Sequence, residues 1–179
     1  MMPLRAVLFD LDDTLHDKSA TQHLVAADQF DRFALNTHGI DPSAWIVAFD
    51  AVHDMRIEKS AAYAELGRRF GLDPSIQSEM LAHFDETLGA RAVALPGAKA
   101  LVLDCKTRGW RVGIVTNGRD AFQRSKIAGL GLLPHIDAVV TSGGFGAKKP
   151  DPRIFRACLA ELQAQVDIRD VVLGQQRRK

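Results

Sequence analysis

Close to the N-terminus stand Asp10, Asp12 and Asp13, in the run Asp10-Leu11-Asp12-Asp13-Thr14-Leu15. Three carboxylates within four residues repel one another and lose hydration where they are partly buried, so a cation or hydrogen bonds must compensate them. Aspartates in a turn also cap backbone groups, which is the plain alternative. Spaced i and i+2, Asp10 and Asp12 can project from one turn into one cleft. The first position then suits a metal ligand or nucleophile, and the second a proton-transfer group.

Two later segments offer complementary chemistry. Thr116-Asn117-Gly118-Arg119-Asp120 places a hydroxyl, an amide and a glycine ahead of a helical stretch. Free N–H groups and the helix dipole favour an anion there, although Thr-Asn-Gly is also an ordinary turn and cap. The loop from Ser142 to Pro152 ends in Lys148-Lys149-Pro150-Asp151-Pro152. Paired lysines are usually solvated. In a site, a lysine can neutralise charge that builds up on a transferring phosphoryl group. The glycines of this loop lack the Walker A spacing, and Gly129-Leu130-Gly131 lacks the third glycine of a dinucleotide fingerprint.

Each segment directly follows a short apolar run. The runs are Ala6–Phe9, Val112–Thr116 and Ala138–Thr141, and a fourth is Val171–Leu173. Apolar runs without polar alternation predict strands buried on both faces of a parallel sheet. Helical stretches at 97–107, 120–130 and 152–164 alternate with them, the last capped by Asp151 with Pro152 in its first turn. The pattern predicts an α/β, doubly wound, Rossmann-like parallel sheet, with ligands beyond the carboxyl ends of its strands. About 100 residues separate Phe9 from Val112, where a crossover needs only about a dozen. The insert, residues 17–92, reads as four helices. The first carries the stripe Ala20-Leu24-Ala27-Phe30-Ala34 and ends at Gly39, and Ser43 caps the second, which bears Trp45, Ala48, Phe49 and Val52. Tyr63, Leu66 and Phe70 mark the third; Ile76, Met80, Phe84 and Leu88 mark the fourth. Residues 1–16 and 93–179 then make the core, rejoined near Leu95-Pro96-Gly97.

Composition limits the possibilities. With 179 residues, 46% hydrophobic, 25% charged and a formal charge of +1, the chain is globular rather than disordered. No apolar run reaches the ~20 residues of a membrane span, and the opening residues do not form a signal peptide. A cytoplasmic location is expected. Net charge gives no general reason to bind nucleic acid or membrane. The stretch from Lys148 to Lys179 holds eight Lys/Arg against four Asp/Glu, which reads as a solvated end. Cys105 and Cys158 cannot form a disulfide scaffold and read as buried small hydrophobes. No pair among His23, His38, His53, His83 and His135 has a metal-ligand spacing.

Taken together, the three segments resemble the haloacid dehalogenase superfamily of hydrolases, with a helical cap inserted after the first motif. The resemblance runs from Leu4 to Gly174. Asp10-Leu-Asp12-Asp-Thr14 corresponds to the first motif, Thr116 to the second and Lys149 to the third. It implies that Asp10 attacks phosphorus, that Asp12 handles the leaving-group proton, that Thr116 and Lys149 bind the phosphoryl group with Asn117 and Gly118 beside them, and that Mg²⁺ is held by the Asp10 carboxylate and the Asp12 carbonyl. Members with an aspartate at the position of Asp12 are phosphatases or phosphomutases rather than dehalogenases. The expected activity is therefore Mg²⁺-dependent hydrolysis of a small phosphorylated metabolite. His16 and Arg119 are candidates for contacting it.

The family's fourth motif follows the fourth strand with Gly-Asp; here Gly174 is followed by Gln175, and the family's fifth strand is missing. An amide brings no charge to a metal. The alternative is therefore a truncated, catalytically weak or inactive binding or interaction protein of the same fold. Val171–Leu173, left as an apolar edge, predicts self-association.

Overall fold

The computed structural model describes residues 5–55, 57–162 and 173–174. Its strands are β1 (Ala6–Phe9), β2 (Arg111–Thr116), β3 (Ala138–Thr141) and β4 (Leu173–Gly174). Its helices are α1 (Lys18–Arg32), α2 (Pro42–Asp54), α3 (Lys59–Phe70), α4 (Pro74–Thr87), α5 (Ala98–Thr107), α6 (Asp120–Gly129), the single turn α7 (Ser142–Phe145) and α8 (Pro152–Glu161). The chain divides into two compact units, Ser19–Arg91 and the two segments flanking it.

In the flanking unit all strand pairs are parallel, in the order β3-β2-β1-β4. The runs need no polar alternation because helices cover both faces. Val7, Phe9, Val112 and Ile114 pack with Val102 and Cys105 of α5 and Ile127 of α6. Ala6, Leu8, Val115 and Val140 pack with Ile154 and Cys158 of α8. Gly113 lets this second face close: a Cβ there would lie 2.6 Å from Cys158 Sγ and 2.7 Å from Leu8 Cδ2. Val171 and Val172 of the expected fourth strand lie outside the described residues, as do 163–164 of the expected last helix and Gln175 with the basic tail.

Where the chain leaves β1 it turns at once. The N–H groups of Leu15 and His16 both donate to Leu11 O, and Asp13 takes φ 58. Such a left-handed conformation suits Asp better than most residues. The outgoing and returning segments of the chain are tied by Asp17 N–H to Val93 O and Leu95 N–H to Leu15 O, at 2.8 and 3.0 Å.

The helical unit packs around Trp45, Phe49, Tyr63, Met80 and Phe84, all buried. Two details differ from expectation. Asp41, not Ser43, caps α2, accepting from Ala44 N–H at 2.8 Å, because Pro42 occupies the first turn and leaves the cap to the residue before it. The stripe expected on α1 is not its buried face. Thr21, Gln22, Val25, Ala26 and Gln29 are buried, whereas Leu24 is 44% exposed. Gln29 can enter the core because its amide is satisfied: Nε2 donates to Met80 O at 2.7 Å and to Tyr63 Oη at 2.9 Å. α1 also stops at Arg32; Gly39, at φ 71, ends the short 3₁₀ turn Leu35–His38 that follows.

Candidate active site

The carboxyl ends of β1, β2 and β3 release the three segments on one edge of the sheet, since Phe9 pairs with Ile114 and Thr116 with Thr141. A cavity of about 330 Å³ opens there, lined by Asp10, Asp12, Thr116, Asn117, Lys149 and Pro150. Its size suits a small ligand.

Asp10 Oδ1 accepts from Leu11 N–H at 2.7 Å and lies 2.5 Å from Lys149 Nζ. Lys149 is held from behind by Asn117. The Asn117 Oδ1 accepts from Lys149 N–H at 2.8 Å, and Nδ2 donates to Lys149 O at 3.3 Å. Asn117 thus anchors the lysine through its main chain, a task its position after β2 alone did not reveal. Gly118 is not among the lining residues, and its N–H is taken by Ser142 Oγ at 2.9 Å. The loop read between β3 and Lys149 contains α7, capped by Thr141 Oγ1 on Gly144 N–H.

Asp12 is surrounded by donors. His16 Nδ1 meets Oδ1 at 2.7 Å, and Lys126 Nζ donates to both oxygens at 2.9 and 3.0 Å. Burial alone would raise the acid's pKa, but the His16 hydrogen bond and then the Lys126 charge outweigh it and hold Asp12 well below the usual carboxylate range. His16 is therefore a buried partner of Asp12, which corrects its expected place as a substrate contact. The Arg119 guanidinium lies over the Phe122 ring at 4.9 Å.

Two residues of the site were not foreseen. Gln123 Nε2 donates to Thr116 Oγ1 and to Asn117 O, both at 2.7 Å, and reaches Asp12 Oδ2 at 3.3 Å. Lys126 is 5% exposed, an unusual fate for lysine. The signal was present in α6. Gln123, Lys126, Ile127 and Leu130 follow the i, i+3, i+4, i+7 spacing of a core-facing stripe, yet two of them are polar. Polar residues on such a stripe must find partners, and here those partners are site residues.

Among the described residues that line the cavity, Asp10 and Asp12 bring the carboxylate oxygens that could hold a metal. Among the described residues no three His, Cys, Asp or Glu side chains converge on one point. That set suits a hard divalent ion that retains most of its waters rather than a soft metal in a protein cage. No helix of the described residues is long and apolar enough to cross a membrane.

Comparison with known proteins identifies the family. The family model for haloacid dehalogenase-like hydrolases matches residues 4–172. A glyceraldehyde 3-phosphate phosphatase of Methanothermobacter thermautotrophicus is 29% identical, over 96% of this chain and 76% of its own. A phosphoglycolate phosphatase of Cereibacter sphaeroides is 30% identical, over 89% of this chain and 72% of its own. Among solved structures, a HAD phosphatase of Thermococcus onnurineus superposes with a TM-score of 0.58 at 25% identity, covering 95% of this chain and 76% of that one. A magnesium-bound HAD-hydrolase of Bacillus subtilis superposes with a TM-score of 0.68 at 18% identity, covering 96% and 77%. With its strand-end aspartates, threonine and lysine gathered on one cavity, and with a family match over nearly its whole length, the chain belongs to the haloacid dehalogenase-like hydrolases.

Proposed function

We propose that the chain hydrolyses a small phosphomonoester with Asp10 as nucleophile. One observation carries this reading: the Asp10 carboxylate lies 2.5 Å from Lys149 Nζ in a cavity that Thr116 and Asp12 also line. A carboxylate oxygen of Asp10 attacks phosphorus as the P–O ester bond breaks, giving an aspartyl-phosphate and an alcohol. The leaving oxygen takes its proton from the carboxyl of Asp12: His16 and Lys126 favour the ionised form in the free site, and the negative charge of a phosphate ester bound beside Asp12 offsets them and favours the protonated one. Water then attacks the same phosphorus, the Asp12 carboxylate takes the water's proton, and the bond to Asp10 breaks to release inorganic phosphate. Lys149 and the Thr116 hydroxyl offset the charge on the phosphoryl oxygens.

A Mg²⁺ ion on the Asp10 carboxylate and the Asp12 main-chain carbonyl would supply further charge neutralisation. The names of the similar phosphatases favour a phosphate ester of two or three carbons as substrate. We assign the helical unit Ser19–Arg91 the role of a substrate-selecting cap, and the two free, buried cysteines fit a reducing cytoplasm.

The test is release of inorganic phosphate from glyceraldehyde 3-phosphate, phosphoglycolate and p-nitrophenyl phosphate, with Mg²⁺ or with chelator, beside Asp10→Asn. Metal-dependent release that Asp10→Asn abolishes is expected. Release unchanged in Asp10→Asn, or none from any ester at high protein concentration, overturns the reading.

A further inference from the structure

We propose that Gln123 is a positioning residue of this site: its amide fixes the Thr116 hydroxyl as an acceptor on one side, so that the hydroxyl proton is presented to an anion in the cavity on the other. The inference rests on the phosphatase reading and adds to it a residue that never touches substrate.

Gln123 is 1% exposed on α6. Its Nε2 lies 2.7 Å from Thr116 Oγ1, 2.7 Å from Asn117 O and 3.3 Å from Asp12 Oδ2. Oε1 is buried and has no hydrogen-bond partner among the described residues. The orientation of the amide follows from its neighbours. Reversed, Oε1 would face the Asn117 carbonyl at 2.7 Å, and a carbonyl cannot donate. The NH₂ group must therefore face it, and it faces Thr116 as well. A hydroxyl has one proton. Since Thr116 accepts from Gln123, that proton is left to donate, and Thr116 lines the cavity. Phosphoryl oxygens accept and do not donate, so this polarity matches the ligand.

Gly118 makes the arrangement possible. At φ 141, a Cβ on it would come within 3.0–3.1 Å of three Gln123 side-chain atoms, which would displace the amide.

The experiment measures binding of inorganic phosphate to the full chain by calorimetry in Mg²⁺ buffer, for wild type, Gln123→Met, Gln123→Glu, Thr116→Val and the Gln123→Met/Thr116→Val double variant. Thermal unfolding of each variant checks that it is folded. Gln123→Met should weaken binding about tenfold, the scale of one hydrogen bond to a charged group. Gln123→Glu should weaken it more, because its carboxylate accepts the Thr116 proton and adds negative charge. The double variant should bind like Thr116→Val alone, since the hydroxyl that Gln123 directs is gone. A merely structural role predicts instead that the two losses multiply. Multiplying losses, or wild-type binding in Gln123→Met, overturn this inference and leave the phosphatase reading standing. No phosphate binding and no ester hydrolysis by wild type overturn both.

Discussion

Replacing Lys149 with Met removes the ammonium that lies 2.5 Å from Asp10 Oδ1, in a pair whose side chains are 14% and 21% exposed. At an effective dielectric constant of about 20, charges at that separation attract by about 6–7 kcal/mol. The cost of drawing both from water offsets most of this, so the net contribution to stability is small. In the proposed phosphoryl transfer the balance changes: negative charge spreads from Asp10 over the phosphoryl oxygens, while Asn117 keeps the lysine backbone in place through two hydrogen bonds. Loss of one such preorganised group costs about 2.7–4 kcal/mol of transition-state stabilisation, or about 10²–10³ in turnover.

The assay is kcat/KM for phosphate release from p-nitrophenyl phosphate, with Lys149→Met and Lys149→Arg beside wild type. Lys149→Arg keeps the charge but changes its shape and reach, so a loss of about tenfold is expected. Lys149→Met also strands Asp10 with Leu11 N–H as its described donor. That should lower stability by about 1–2 kcal/mol, and Asp10→Asn in the same chain should restore the stability without restoring activity. Activity of Lys149→Met within twofold of wild type would refute the assignment. So would a double variant no more stable than the single.

Three further outcomes are expected. Gly113→Ala should cost about 1–3 kcal/mol in urea unfolding, because its Cβ would meet Cys158 Sγ and Leu8 Cδ2 in a closed core; an unchanged midpoint would show that α8 shifts freely. Gln29→Leu should cost about 2–3 kcal/mol, since it deprives the buried Met80 carbonyl and Tyr63 hydroxyl of partners, and unfolding of the variant measures it directly. Burial pushes the Cys158 thiol from 9.0 up to about 12. The folded state then keeps the thiol protonated while the unfolded chain releases its proton. The contribution is fully present below about pH 9 and is lost as pH rises towards 12. Cys158→Ala should therefore show a flatter alkaline limb of stability than wild type, and parallel limbs would contradict the burial argument.

The amino-acid sequence by itself determined the sheet and the residues at its edge. Apolar runs at Ala6–Phe9 and Ala138–Thr141 have no solvent-facing alternation, so only a strand covered on both faces accommodates them. Asp10 and Thr116 stand at the strand ends themselves, and the loop that leaves β3 carries Lys149 to the same end of the parallel strands. Periodicity likewise marked the buried aromatic faces of α2 and α4. Tertiary structure alone decided how polar residues are used. Gln29, Gln123 and Lys126 are buried, and a hydropathy pattern counts each as surface. Their burial is stable only because carbonyls, a hydroxyl and a carboxylate from residues as many as 114 positions away meet them there. His16, Asn117 and Gly118 show the same division. Their types and positions were legible, but which partner each one holds depends on where separate stretches of chain converge.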